Sequence, residues 1–396
     1  MNNHYASPDD QQEDFDDLQE SGQQYSAVVN AADWTVQTII QQIDKGNIEL
    51  NPSFQRRQAW GHKRKSQYIE SLIINVPVPQ IVLAEKQGTR GKFIVIDGKQ
   101  RLLALRQFHS QTSDTVYKNF KLTGLTIRTD LNGKSWADLT TDPTLEPYSD
   151  TLDNTTIRTA VIKNWKDETF LYTVFLRLNT GSVQLSPQEL RQALHPGQFL
   201  TYVDDYSTSS PLIKQVMRLK EPDARMRDAE LFIRFFAFRN FSSTYSGSMK
   251  QILDYTAKYF NDRWDSVQPT INEQTVEFER CIKTCIEIFG QNAFRKWNGT
   301  QYESAFNRAV FDALFLTLIN IDIAHVLLEN KQTVEDLFKA LCTYDEKFKS
   351  AIEGTTKSIG SIYTRINIWT TGLRTTLGYP NIPTVQLIDN RIAISD

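Results

Sequence analysis

The chain has 396 residues, 40% of them hydrophobic and 23% charged, with a net charge of −3. That is the balance of an ordinary soluble globular protein, long enough for two domains and for a full core without disulfide staples. Residues 1–24 carry seven acids (Asp9, Asp10, Glu13, Asp14, Asp16, Asp17, Glu20) and no Lys or Arg, so setting them aside takes the −3 to +4 for the remainder. A mildly basic body permits contact with a polyanion but does not by itself argue for one.

In chain order, residues 1–25 form an acidic, Gln-rich stretch with too little apolar surface to fold alone, and are expected to be a disordered tail. No secretory segment is expected at the N-terminus. The pattern becomes structured from Trp34. Val36, Ile39, Ile40 and Ile43 follow helical spacing, and Gly46 ends that helix. "IELNPSF" reads as a strand entering a turn, "KRKSQYIESLIINV" as a helix, and "VPVPQIVLAEK" and "GKFIVID" as strands separated by a Gly-rich turn over 87–91. Further strands are expected near "LTGLTIR" and "TIRTAVIKNW", and a helix in "DETFLYTVFLRLNTG" ending near Gly181. Ser186, Pro187 and Glu189 mark a helix start with a capping box.

Beyond Asp228 nearly every stretch has helical periodicity. The most apolar, residues 309–328, contains Asp312, Asn320, Asp322 and His325, groups that are costly in lipid, so a buried helix is expected and no membrane association. Phe232, Phe235, Phe236 and Phe238 are either partner anchors or, on the plainer reading of aromatic residues at helical spacing, core. Cys281, Cys285 and Cys342 suit a reducing compartment, and the first two, four apart on a helix, read as core rather than as metal ligands. These features predict a cytoplasmic α+β protein with an all-helical C-terminal half.

The chemistry concentrates in "KFIVIDGKQRLLALRQF", residues 92–108, where an apolar strand runs into Asp97-Gly98 and a helix follows. A helix start offers unpaired backbone N–H groups and the positive end of the helix dipole, so such a turn is receptive to anions. Gly98 lets a phosphate approach the backbone, Lys99 and Arg101 add charge, and Gln100 adds a neutral donor. Asp97 can hold a divalent cation or orient a water, both needed for nucleotide hydrolysis. The plain alternative is an ordinary Asp-Gly turn that binds nothing. "NPSFQRRQAWGHKRK", residues 51–65, gathers basic residues around Trp60, either as a solvated face or with Arg56 converging on a phosphate. Asn179 is a further candidate or simply a helix end, and the capping box accounts for Glu189.

Taken together, "NPSFQRRQAW", "PVPQIVLAEK", "VIDGKQRLLAL" and "FLRLNTGSVQLSPQELR", in this order and spacing, resemble the N-terminal-domain family of GmrSD-type modification-dependent restriction endonucleases, within the ParB/sulfiredoxin-like superfamily. Its Asp-Gly-Gln-Gln-Arg motif reads here as Asp97-Gly98-Lys99-Gln100-Arg101, with Lys at the third position. The resemblance covers residues 30–200 and continues more loosely beyond. It implies a ParB/sulfiredoxin-like domain over 26–205 followed by a helical domain over 206–396. It also implies a nucleoside-triphosphate-binding and hydrolysing sensor in bacterial anti-phage defence. Carried over by position, Asp97 would handle Mg2+ or water, and Gly98, Lys99, Gln100 and Arg101 would bind the nucleotide. Gln55 and Arg56 would form a facing wall, and Asn179 is a further candidate. The five histidines (His4, His62, His109, His195, His325) are scattered, so a His-Asn-His nuclease is not expected within this chain and cutting would fall to a partner in trans. Two other readings remain open: a DNA-binding or DNA-nicking protein, and an inert interaction scaffold.

Overall fold

The computed structural model describes residues 27–50, 60–111, 114, 117–166, 170–171, 174–175, 178, 186–354, 356–388 and 391–395. They divide into two compact units, one ending at Leu194 and the other beginning at His195. The first is mixed α and β and the second helical, as the α+β reading expects.

The first unit is built on a four-stranded sheet: β1 (Val28–Thr35), β2 (Ile81–Glu85), β3 (Phe93–Asp97) and β4 (Thr156–Lys163), in the spatial order β1-β4-β2-β3. β2 lies parallel to β4 and antiparallel to β3, and β1 runs antiparallel to β4 from Val28↔Lys163 to Thr35↔Thr156. Alternate residues of the strands enter different cores, as the pleat requires. Ile81, Leu83, Phe93, Val95, Ile157 and Val161 face one cluster, with side chains from α1 (Val36–Asp44), α2 (His62–Ile73), α3 (Lys99–Phe108), α4 (Trp136–Thr141) and α5 (Glu146–Asn154). Val82, Ala84, Ile94, Ile96, Ala160 and Ile162 face the other, with Leu171, Phe175 and Leu190 of α6 (Pro187–Leu194). The sheet is therefore sandwiched between helical layers, and the end of β3 lies where both layers can reach it.

Two expectations fail in this unit. Residues 122–128, expected as a strand, form turns. Their buried leucines, Leu122 and Leu125, give a strand-like apolar spacing, but the amides of Thr123, Leu125, Thr126, Ile127 and Arg128 are taken by side chains rather than by a neighbouring strand. Thr123 N–H donates to Ser66 Oγ (2.9 Å), and Ile127 and Arg128 N–H donate to Glu70 Oε1 (2.9 and 2.7 Å). Conversely, β1 begins before Trp34: its residues are mostly exposed, so it has no apolar face to read, and its pairing with β4 defines it.

The second unit comprises α7 (Gln198–Ser209), α8 (Pro211–Met217), α9 (Arg227–Phe241), α10 (Met249–Asp262), α11 (Trp264–Phe289), α12 (Arg308–Leu318), α13 (Ile321–Glu329), α14 (Lys331–Tyr344), α15 (Glu346–Glu353) and α16 (Ile359–Leu377). A hairpin of β5 (Thr384–Ile388) and β6 (Arg391–Ser395), not anticipated from periodicity, follows them. Phe232, Phe235, Phe236 and Phe238 are all buried, which settles them as core. Cys281 and Cys285 are buried on α11 as free thiols, and burial pushes the Cys281 thiol up to about 12. The single helix expected over 309–328 is instead α12 and α13, bent by 107°. Asn320 causes the break by capping the second helix, accepting from Asp322 N–H and Ile323 N–H (2.9 and 3.3 Å). Among the described residues, no single helix is long and apolar enough to cross a membrane.

Candidate functional site

β3 passes into α3 through one residue, Gly98, at φ +98° and ψ +10°. A side chain there would be strained, and a Cβ would meet Ile81 Cγ1 at 3.1 Å and the Arg101 guanidinium at 3.3 Å. The sharp turn brings the carboxylate of Asp97 over the start of the helix. Asp97 Oδ1 accepts from Gly98 N–H (2.7 Å), and Asp97 Oδ2 accepts from Arg101 Nη2 (2.8 Å). The helical ladder starts with Leu102 N–H donating to Gly98 O (2.9 Å), so the amides before it belong to the first turn, which has no intrahelical acceptors. Helix dipole and guanidinium thus converge on one carboxylate.

Lys99 points the other way. Its Nζ donates to Glu189 Oε1 on α6 at 2.5 Å, with both side chains about 95% buried. Glu189 also completes the capping box expected for it: Glu189 N–H donates to Ser186 Oγ (3.1 Å) and Ser186 N–H to Glu189 Oε2 (2.8 Å). The carboxylate therefore caps one helix and anchors the start of another. The lysine at the variant position of the motif joins the turn to α6, rather than extending toward an open site.

Gln100 is half-buried, and its Oε1 has no hydrogen-bond partner. Among the other buried polar atoms in the same condition are the Tyr68 hydroxyl and the Trp60 indole N–H. Tyr68 lies on α2, with its ring 5.8 Å from that of Trp60 in an edge-on arrangement. Burial pushes the Tyr68 pKa up, opposed by the Arg101 charge within electrostatic range, so the hydroxyl stays protonated. Arg64 stacks over Trp60 at 4.9 Å. Trp60 stands out in the sequence as a lone aromatic among basic residues. Tyr68 does not, because its position matches the apolar face of α2.

Of the candidate residues, Asp97, Gly98, Lys99, Gln100 and Arg101 are therefore brought together at one strand–helix junction, with Lys99 turned aside. Gln55, Arg56 and Asn179 lie outside the described residues. No cluster of three or more His, Cys, Asp or Glu suited to a metal is found among the described residues. Asp97 is the one carboxylate of the turn.

The fold and this junction define an α+β domain in which an antiparallel edge strand turns through Gly98 directly into a helix. Residues 36–196 match the family model described as the GmrSD restriction endonuclease, N-terminal domain. No curated protein and no solved structure matches the chain.

Proposed function

We propose that this domain binds and hydrolyses a nucleoside triphosphate, and that it serves as the sensing or regulatory part of a bacterial anti-phage restriction system in the cytoplasm, with DNA cutting supplied by a nuclease partner. The family description supports the restriction setting. The observation that carries the nucleotide reading is the turn itself. Gly98 in a left-handed conformation joins β3 directly to α3, and the Arg101 guanidinium and the Gly98 N–H converge there on an oxyanion, the Asp97 carboxylate. A phosphate chain would meet the same donors. Arg101 would bind it as a fork, and Asp97, released from Arg101, would orient the attacking water or hold magnesium. Bound magnesium would neutralise phosphate charge.

Phosphate release from a panel of nucleoside triphosphates with magnesium tests this. Wild type is expected to release phosphate, and Asp97→Asn, which keeps the shape of the turn, to lose about 100-fold or more of that rate. Equal rates in a folded variant would remove catalysis from this turn.

One observation favours direct DNA contact as a second reading. His62, Lys63 and Arg64 are exposed at the start of α2, and the Lys63 stem lies against Gly124 beside the exposed Lys121. Contact through this edge should weaken steeply with salt; binding insensitive to salt would count against it.

A further inference from the structure

Two hydrogen-bond donors are buried without partners on neighbouring rings: the Tyr68 hydroxyl and the Trp60 indole N–H, with ring centroids 5.8 Å apart. Tyr68 is only 7% exposed. A buried donor with no acceptor is destabilising, and native proteins rarely keep one without reason. Tyr68 has neighbours that satisfy only its ring. It packs in the core shared by α2 and α3, with Ile69, Leu72, Leu102 and Leu105. The Arg101 guanidinium, which acts on its hydroxyl electrostatically, is also a donor. Indole, phenol, guanidinium and the amides of a helix start are all hydrogen-bond donors. Such a set is complementary to an acceptor-rich group, and a phosphoryl group offers three oxygens that accept and none that must donate.

We propose that Tyr68 and Trp60 are ligand-binding residues of the Asp97–Arg101 turn, donating through the Tyr68 hydroxyl and the Trp60 indole N–H to the phosphate oxygens of the bound nucleotide. This rests on the nucleotide reading of the turn and extends it to a second helix: α3 supplies the charged donors and α2 the neutral ones. Neutral donors that remain protonated add no charge to a site already holding Arg101, so they contribute contacts without repelling that guanidinium. Because the recognised group is the phosphate chain and not the base, the contribution is the same for any nucleotide and for a bare polyphosphate.

The decisive variant is Tyr68→Phe, which keeps the ring and its packing against Trp60 and removes only the hydroxyl. It has two expected effects of opposite sign. Without ligand, loss of an unsatisfied buried hydroxyl raises the melting temperature by about 2–4 °C. With ligand, affinity for the magnesium complexes of a nucleoside triphosphate and of inorganic tripolyphosphate falls by the same factor, about 10-fold, as for loss of a hydrogen bond to a charged acceptor. Trp60→Phe, which removes the indole N–H and keeps an aromatic ring, is expected to show the same parallel loss. Calorimetric titration of full-length wild type and variants reads these effects.

Unchanged affinity in Tyr68→Phe while wild type binds both probes would overturn the proposal and leave the nucleotide reading standing. Loss for the nucleoside triphosphate alone would also overturn it, since it would place Tyr68 against base or ribose. Failure of wild type to bind either probe would defeat the nucleotide reading itself, and this proposal with it.

Discussion

Lys99 replaces a neutral residue of the family motif with a charge, and the fold accounts for that charge by burying it against Glu189 at 2.5 Å. A buried ion pair of this kind adds little net stability compared with an apolar pair of similar volume, yet breaking it on one side leaves an uncompensated buried charge. Lys99→Met is expected to destabilise the first unit by about 3–5 kcal/mol, while Lys99→Met combined with Glu189→Gln recovers most of that loss. Urea unfolding of the single and double variants measures the difference. If the single variant is as stable as wild type, Glu189 is held by its capping role alone. Lys65, a turn of helix before Tyr68, offers a complementary test by pH. It is almost fully buried, with Nζ on Gln107 Oε1 at 2.7 Å, and burial lowers its pKa from 10.5 to about 8. The unfolded chain keeps that proton up to about pH 10.5, so between pH 8 and 10.5 it binds more protons than the folded one. Stability should therefore rise with pH across that window, with the burial penalty fully present below pH 8. Thermal melts should show this rise in wild type relative to Lys65→Met, and parallel curves would contradict it.

At the scale of elements, α2 does more than cover the sheet. Its buried Glu70 accepts backbone N–H groups from Thr126, Ile127 and Arg128, standing in for the strand that residues 122–128 do not pair with. Glu70→Ala should release that loop, with loss of about 1.5–3 kcal/mol as for hydrogen bonds to a charged group. Amide hydrogen exchange should speed up at Ile127 and Arg128 before it does in α2, and unchanged protection there would show that Leu122 and Leu125 hold the loop by burial alone. The same loop shows where the sequence misleads. Short apolar runs identify β2, β3 and β4 because both of their faces are covered. They mislead at 122–128, where apolar spacing reflects burial and not pairing. β1 escapes notice for the opposite reason, since it pairs fully but buries almost nothing. The turn at Asp97–Arg101 was legible because its geometry is local: an acid, a glycine and donors within five residues. The Lys99–Glu189 pair, 90 residues apart, and the Tyr68 hydroxyl were not, because each depends on which helices the sheet brings together.

For the molecule as a whole, charge is buried in both units, and in the second it lies in the middle of the helical core. Asp312 on α12 is fully buried, accepts a two-point contact from Arg234 on α9 (2.6 Å at each oxygen), and accepts a third bond from Arg365 on α16 (2.6 Å). One carboxylate thus ties three helices that are distant in sequence, and Arg365 extends the tie to the Thr356 and Ala351 carbonyls. Desolvation lowers the Arg365 pKa, and the Asp312 charge is the principal opposing influence. This arrangement explains why an aspartate stands in the most apolar stretch of the chain: it is the counter-ion of two guanidiniums, and its cost in lipid has no bearing on its role here. Asp312→Asn keeps the shape but takes the Asp312 charge away from two buried guanidiniums, and should destabilise the helical unit by about 3–5 kcal/mol. Replacing all three with apolar residues (Arg234→Met, Asp312→Leu, Arg365→Met) should be far milder, because the desolvation penalty disappears along with the attraction. Chemical denaturation, followed by near-ultraviolet circular dichroism of the aromatic core, distinguishes the two. If the triple variant is as damaged as Asp312→Asn, the three helices depend on directional bonds that packing cannot replace, and the charge specifies the arrangement of the core as well as filling it.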